Sequence, residues 1–142
     1  MNTPFSLEPD DDGLITVTAA YTPSDCIHDP ESAYVRYYST PILGPLSVLT
    51  FIHLNSWITA DDPTITLHYD EFAHSLGTRP PRLTRSLQRL NAFHLAHTLP
   101  EQPTTLCIRR RVPTLNARQL ARLAEHCPTL AAHHDQLLHT AA

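Results

Sequence analysis

"RPPRLTRSLQRL", residues 79–90, is the stretch whose reading decides the fold. Its two prolines suit the first turn of a helix, where backbone N–H groups have no intrahelical partner. Thr78 is the expected N-cap, and the pattern predicts a helix over 81–91 that closes at Asn91. At about 100° per residue, Leu83, Leu87 and Leu90 fall within an arc of about 60° and predict a buried stripe. Arg82, Arg85 and Arg89, flanked by Gln88, fill a similar arc on the other side. A basic stripe of this kind is either a solvated helix face or a surface for a polyanion, and the flanking sequence has to choose.

Upstream, Gly44 and Pro45 open "LSVLTFIHLNSWI" (46–58). Leu46, Leu49, His53 and Trp57 share one helical face, and Val48, Phe51, Ile52, Leu54 and Ile58 cover much of the rest. A helix apolar nearly all round belongs at the centre of a core, with His53 as a hydrogen-bonded core residue. "TITLH" (64–68) alternates like a short strand, and "YDEFAHSLG" (69–77) predicts a short helix with acidic residues in its first turn and Gly77 as its stop.

Downstream, "FHLAHTL" (93–99) and "TLCIRRRV" (105–112) predict two strands joined by "PEQPT" (100–104), a loop longer than a tight turn. Strand alternation then places Arg109 and Arg111 on one face and Arg110 on the other. "NARQLARLAEHC" (116–127) is a helix with Leu120, Leu123 and Cys127 at core spacing, and 129–142 forms a further short helix or frays. At the N-terminus, "LITVTAAY" (14–21) and "AYVRYYS" (33–39) read as strands separated by a turn-rich connection, 22–32. The fold class expected is α+β, mainly helical.

The 142 residues suffice for one ordinary domain, and 42% hydrophobic against 17% charged residues exclude wholesale disorder. No apolar run approaches the roughly 18 residues a membrane span needs, and no basic-then-apolar leader opens the chain, so a cytoplasmic protein without membrane association is expected. Cys26, Cys107 and Cys127 are odd in number and far apart, which fits reduced thiols. The net charge of −4 conceals an asymmetry: residues 1–76 carry one basic and eleven acidic residues, a balance of −10, and residues 77–142 carry nine arginines and three acidic residues, a balance of +6. Such an imbalance points to a polyanion-binding surface or to an acidic segment that masks one.

The segments "LGPLSVLTFIHL", "ITLHYDEFAHSLGT" and "PRLTRSLQRLNAFHLAHTL" follow the order helix, strand, helix, short turn, helix, hairpin. That order, over about half the chain, resembles the winged helix-turn-helix domain of bacterial transcription regulators, most nearly the compact ones of actinobacteria and their phages. The resemblance implies an acidic N-terminal extension at 1–40, a winged helix-turn-helix domain at 41–115 and a C-terminal helical segment at 116–142, with either that segment or the N-terminal strands supplying a dimer contact. It implies a recognition helix at 81–91 and a wing at 93–112, with Arg79, Arg82, Arg85, Gln88, Arg89, Arg109, Arg110 and Arg111 on double-stranded DNA. Arg82 and Arg85 would then reach base edges or phosphates and Arg89 a phosphate. Asn91 stands near where such sequences often place a glycine. The function implied is a homodimeric transcriptional regulator.

A different class of function stays open on the same residues: a protein-interaction module that binds a transcription or replication component through its acidic and aromatic N-terminal half. Tyr34, Tyr37, Tyr38 and Trp57 read as core or interface aromatics rather than a stacking platform. No nucleotide-binding glycine loop, zinc-protease pair or serine-hydrolase elbow occurs, and Asp10–Asp12 and Asp61 with Asp62 read as loop charges, so neither catalysis nor a cofactor is expected. The densest group of potential metal ligands, His126, Cys127, His133 and His134, lacks the spacing of a closed tetrahedral site, and Cys26 with His28 is sparser still, so no metal is expected.

Overall fold

The computed structural model describes residues 5–140, with side chains as far as 137. The outer ends of the expected N- and C-terminal segments, 1–4 and 141–142, lie outside the described residues. Among the described residues the chain is α+β, with six α-helices, a four-stranded mixed sheet and a separate two-stranded ribbon. The elements are β1 (Leu14–Ala19), β2 (Cys26–His28), a π-helical turn (Val35–Ser39) continuing into α1 (Thr40–Leu43), α2 (Pro45–Trp57) and β3 (Thr64–His68). Then follow α3 (Tyr69–Ser75), α4 (Pro80–Ala92), β4 (Ala96–Leu99), β5 (Gln102–Ile108), β6 (Val112–Pro113), α5 (Ala117–His126) and α6 (Pro128–Thr140). Among the described residues no helix is long and apolar enough to cross a membrane.

The sheet order is β3-β1-β5-β4. β1 runs antiparallel to β3 and parallel to β5, and β4 and β5 form an antiparallel hairpin. A strand from the first forty residues thus stands at the centre of the sheet, held on both sides. Ile15 and Val17 of β1 and Leu106 and Ile108 of β5 point to one face, where they meet Phe51 and Leu54 of α2 and Leu83, Leu87 and Leu90 of α4. α2 and α4 approach closely because small residues meet between them: the Ser47 hydroxyl donates to Ser86 O at 3.2 Å. Each of the three α4 leucines is fully buried, which stabilises the fold by about 2 kcal/mol apiece.

A second, smaller apolar cluster joins Tyr34, Tyr38 and Ile42 to Leu115, Leu123 and Ala131. Residues 33–39 are therefore helical, not the strand their tyrosines and valine predict. Helical spacing lets Tyr34 and Tyr38 both reach α6, and that burial outweighs a weak local β preference. β2 lies inside the segment read as a turn-rich connection, because its short pairing with β6 has no sequence period long enough to register. α2 is buried on one side only: Leu49 (39%) and Trp57 (40%) reach solvent, and His53, expected in the core, is half-buried with Nδ1 at 3.0 Å from Leu49 O.

Candidate nucleic-acid interface

Local chemistry fixes the angle between α3 and α4. The His68 ring caps α3 by accepting from the Glu71 N–H at 3.3 Å, and Asp70 and Glu71 suit the positive end of the helix. Its far end closes on Gly77, whose φ of 73° is easily reached only by glycine. The Thr78 N–H donates to Ala73 O and the Gly77 N–H to His74 O, both at 3.0 Å. Only the Thr78 N–H takes part in ending α3; its buried Oγ1 has no partner among the described residues and does not cap α4. The N-cap is Arg79, held extended (φ −117°, ψ 156°) because the residue before a proline is excluded from helical backbone. Pro80 and Pro81 occupy the first turn, and the helix runs to Ala92, one residue beyond each expected end.

Asn91 does not close α4. The left-handed position is taken by His94, with φ 62°; its N–H donates to Asn91 O, and the Leu95 N–H donates to Leu90 O, each at 2.9 Å. The Asn91 side chain instead donates to Ala96 O at 2.9 Å and ties the helix end to β4.

The eight predicted contact residues divide by what their side chains do. Arg79, Arg82, Arg85 and Gln88 are exposed. Among the described residues no hydrogen bond or ion pair engages the side chains of Arg79, Arg82 or Arg85. Arg89 is exposed but committed: Nη2 donates to Ile42 O at 2.6 Å, and the guanidinium lies 5.7 Å from the Phe93 ring centre, so it fastens α4 to α1.

The expected wing differs more. The hairpin occupies 96–108, and its loop is the two residues Pro100 and Glu101, shorter than expected because Gln102 already pairs with Leu99. Its tip carries no cation. β5 ends at Ile108, so Arg109–Arg111 lie past the strand and do not alternate across it. Arg109 is half-buried, with Nη1 3.9 Å from Cys26 Sγ. Burial pushes the Cys26 thiol up from its ordinary pKa, with Arg109 opposing.

Arg110 folds back on α2: Nη1 donates to Asn55 O and Oδ1, both at 3.0 Å, and Nη2 to Ile58 O at 2.8 Å. A cation placed on carbonyls at a helix C-terminus is favoured electrostatically, and Asn55 completes the clamp by donating to Arg109 O at 3.1 Å. Arg111 is exposed and borders an open cleft of about 860 Å³ with Asp29 and Glu31 on its wall. Three of the eight, Arg89, Arg109 and Arg110, are thus engaged within the fold. Of the seven arginines among them, Arg79, Arg82 and Arg85 at the start of α4 and Arg111 beyond β5 have no side-chain hydrogen bond or ion pair among the described residues.

A feature that sequence reasoning missed joins the chain's two ends. His134 is fully buried; its Nε2 lies 2.7 Å from the Tyr34 hydroxyl, which also accepts the Leu115 N–H at 2.9 Å. Tyr34 stacks on His28 at 3.6 Å, and Tyr38 meets His134 edge-on at 5.0 Å. Burial pushes the His134 pKa down, and His28 is lowered by burial and by the neighbouring His134. The Tyr34 hydroxyl meets the ring at Nε2, and Nδ1 has no partner among the described residues. The sequence signal was present only as the i, i+4 pair Tyr34 and Tyr38 and could not name His134 as the partner. Among the described residues no three His, Cys, Asp or Glu side chains are grouped to hold a metal.

No protein-family model matches the sequence, and neither the curated proteins nor the solved structures contain a match.

Proposed function

We propose that this chain is a non-enzymatic double-stranded DNA-binding regulator of transcription on a winged helix-turn-helix frame, with α4 lying in the major groove. The observation that carries the reading is the row of Arg79, Arg82 and Arg85, exposed and uncommitted at the N-terminal end of a helix whose opposite face is buried on α2. The order α2, β3, α3, four-residue turn, α4, β4, β5 supports it. Two features depart from the family pattern: β1 is inserted between β3 and β5, and the hairpin tip presents Glu101 where a cation would suit phosphate. DNA contact is accordingly assigned to α4 and the turn before it. There the helix's positive end adds to the arginine charge. Two copies about a two-fold axis would set their α4 helices in successive major grooves roughly 34 Å apart.

A titration with random and genomic duplexes at several salt concentrations tests this. Arg82→Ala and Arg85→Ala are each expected to weaken binding about tenfold. Each is also expected to reduce the slope of log affinity against log salt by about 1 where the lost contact is to phosphate. No binding to any duplex at low salt, or unchanged binding by the double variant, refutes the proposal.

A further inference from the structure

β3 is an edge strand with only one partner among the described residues. Its hydrogen-bonding phase follows from the two ends of its ladder: the Tyr69 N–H donates to Gly13 O at 2.9 Å and the Ala19 N–H to Pro63 O at 3.0 Å. In an antiparallel pair such bonds recur at every second residue, so Ile65 and Leu67 direct their backbone groups to β1. The N–H and C=O groups of Thr64 and Thr66 therefore point to the free edge, and both residues are exposed. Natural sheets usually blunt such an edge with lysine, proline or a covering element. Here the edge strand itself carries two threonines, two half-buried apolar residues and one histidine.

Beside this edge runs a groove of about 360 Å³, lined by Trp57, Leu67, His68, Glu71, Phe72 and Ser75. Trp57, 40% exposed, packs edge-on against Phe72 at 5.5 Å and forms its apolar wall. The chain on either side of β3 is of one sign: Asp61 and Asp62 precede it, Asp70 and Glu71 follow it, and no arginine or lysine occurs between residues 37 and 78.

We infer that the β3 edge and the adjoining Trp57–Phe72 groove form a docking site for an extended, cationic and apolar peptide segment of another protein, added as a fifth strand to the sheet. Backbone bonds to Thr64 and Thr66 supply the binding, and side chains at alternate positions supply the choice of partner. Apolar side chains on the inner face of the added strand meet Leu67, Trp57 and Phe72. Cationic side chains meet Glu71 and the aspartates at either end. A second copy of this chain pairing through the same edge would set carboxylates against carboxylates, which disfavours it. The inference does not depend on DNA binding, and its test uses no DNA.

The probe is a fluorescent, N-acetylated octapeptide of alternating lysine and valine with one central leucine, followed by anisotropy with the full chain. It is expected to bind, and three changes are expected to weaken it. N-methylation of its edge-facing amides, which leaves every side chain in place, should reduce affinity at least tenfold. Thr66→Pro, which removes an N–H that β1 does not use, should do the same. Glu71→Lys should reduce affinity several-fold, and a glutamate-for-lysine peptide should not bind. Failure of the lysine peptide to bind at millimolar concentration overturns the proposal, as does equal binding of the methylated peptide. A Thr66→Pro variant that does not fold leaves the methylated peptide and Glu71→Lys to decide. Sedimentation that shows a dimer dissociated by Thr66→Pro overturns it in favour of self-pairing.

Discussion

Replacing Arg110 by alanine is expected to weaken the fold and leave any duplex binding intact, the reverse of Arg82 and Arg85 on α4. The Arg110 guanidinium makes three bonds, at 3.0, 3.0 and 2.8 Å, to Asn55 O, Asn55 Oδ1 and Ile58 O. Those acceptors sit where α2 ends and its carbonyls lack helical partners. Hydrogen bonds to a charged group contribute about 1.5–3 kcal/mol when buried. The side chain is half-buried, so water replaces part of what is lost. Arg110→Ala should therefore cost about 2 kcal/mol, which for a chain of this length lowers Tm by roughly 6–8 °C. Arg111→Ala, exposed and outside the clamp, should stay within about 0.5 kcal/mol. Urea unfolding followed by far-ultraviolet circular dichroism measures both, read as a shift of midpoint at constant m. The same two variants, titrated with duplex well below their Tm, should bind within twofold of one another. Arg110→Ala with unchanged midpoint and a salt slope reduced by about 1 would refute the argument and return Arg110 to the phosphate-contacting set.

Three further outcomes follow from positions the structure singles out. His94→Gly should raise stability by about 0.5–1 kcal/mol in the same unfolding assay, because glycine takes a φ of 62° without the side-chain clash an L-residue bears. Asn116→Ala removes a reciprocal cap, in which Asn116 Oδ1 accepts from the Gln119 N–H at 2.8 Å and Gln119 Oε1 from the Asn116 N–H at 2.9 Å, and should cost about 1 kcal/mol. Stability should fall with acidification. Burial holds His134 and His28 below their ordinary pKa, so the unfolded chain binds protons that the folded chain resists. Their contribution is complete above about pH 6.5 and is lost as the pH drops, with a limiting slope of about 1.4 kcal/mol per pH unit for each histidine. His134→Gln should flatten that slope; a slope unchanged in the variant would show that other groups set it.

The helices were legible where spacing and end signals agree. α2, α3, α4 and α5 follow from apolar residues three and four apart and from Pro45, Gly77, Pro80, Pro81 and Pro128 at their boundaries. Residues 33–39 resemble a strand because tyrosine and valine favour β structure locally, but they are helical because Tyr34 and Tyr38 are buried against α6 from the other end of the chain. The candidate interface was legible in the same degree. The stripe of Arg82, Arg85 and Arg89 is a property of helical periodicity, and it survives in α4. What charge pattern cannot express is what a guanidinium already holds.

By itself, then, the sequence determined that α2, α3, α4 and α5 are helices, that α4 has one apolar and one basic face, and that the cations gather in the second half of the chain. The tertiary structure alone decided that β1 lies between β3 and β5, that Arg110 and Arg89 are spent on carbonyls of α2 and α1, and that β3 keeps a free edge. The physical reason is the reach of the interactions. Helical periodicity and capping act within a few residues, whereas strand order and side-chain partners join residues tens of positions apart, and only the folded chain brings those together.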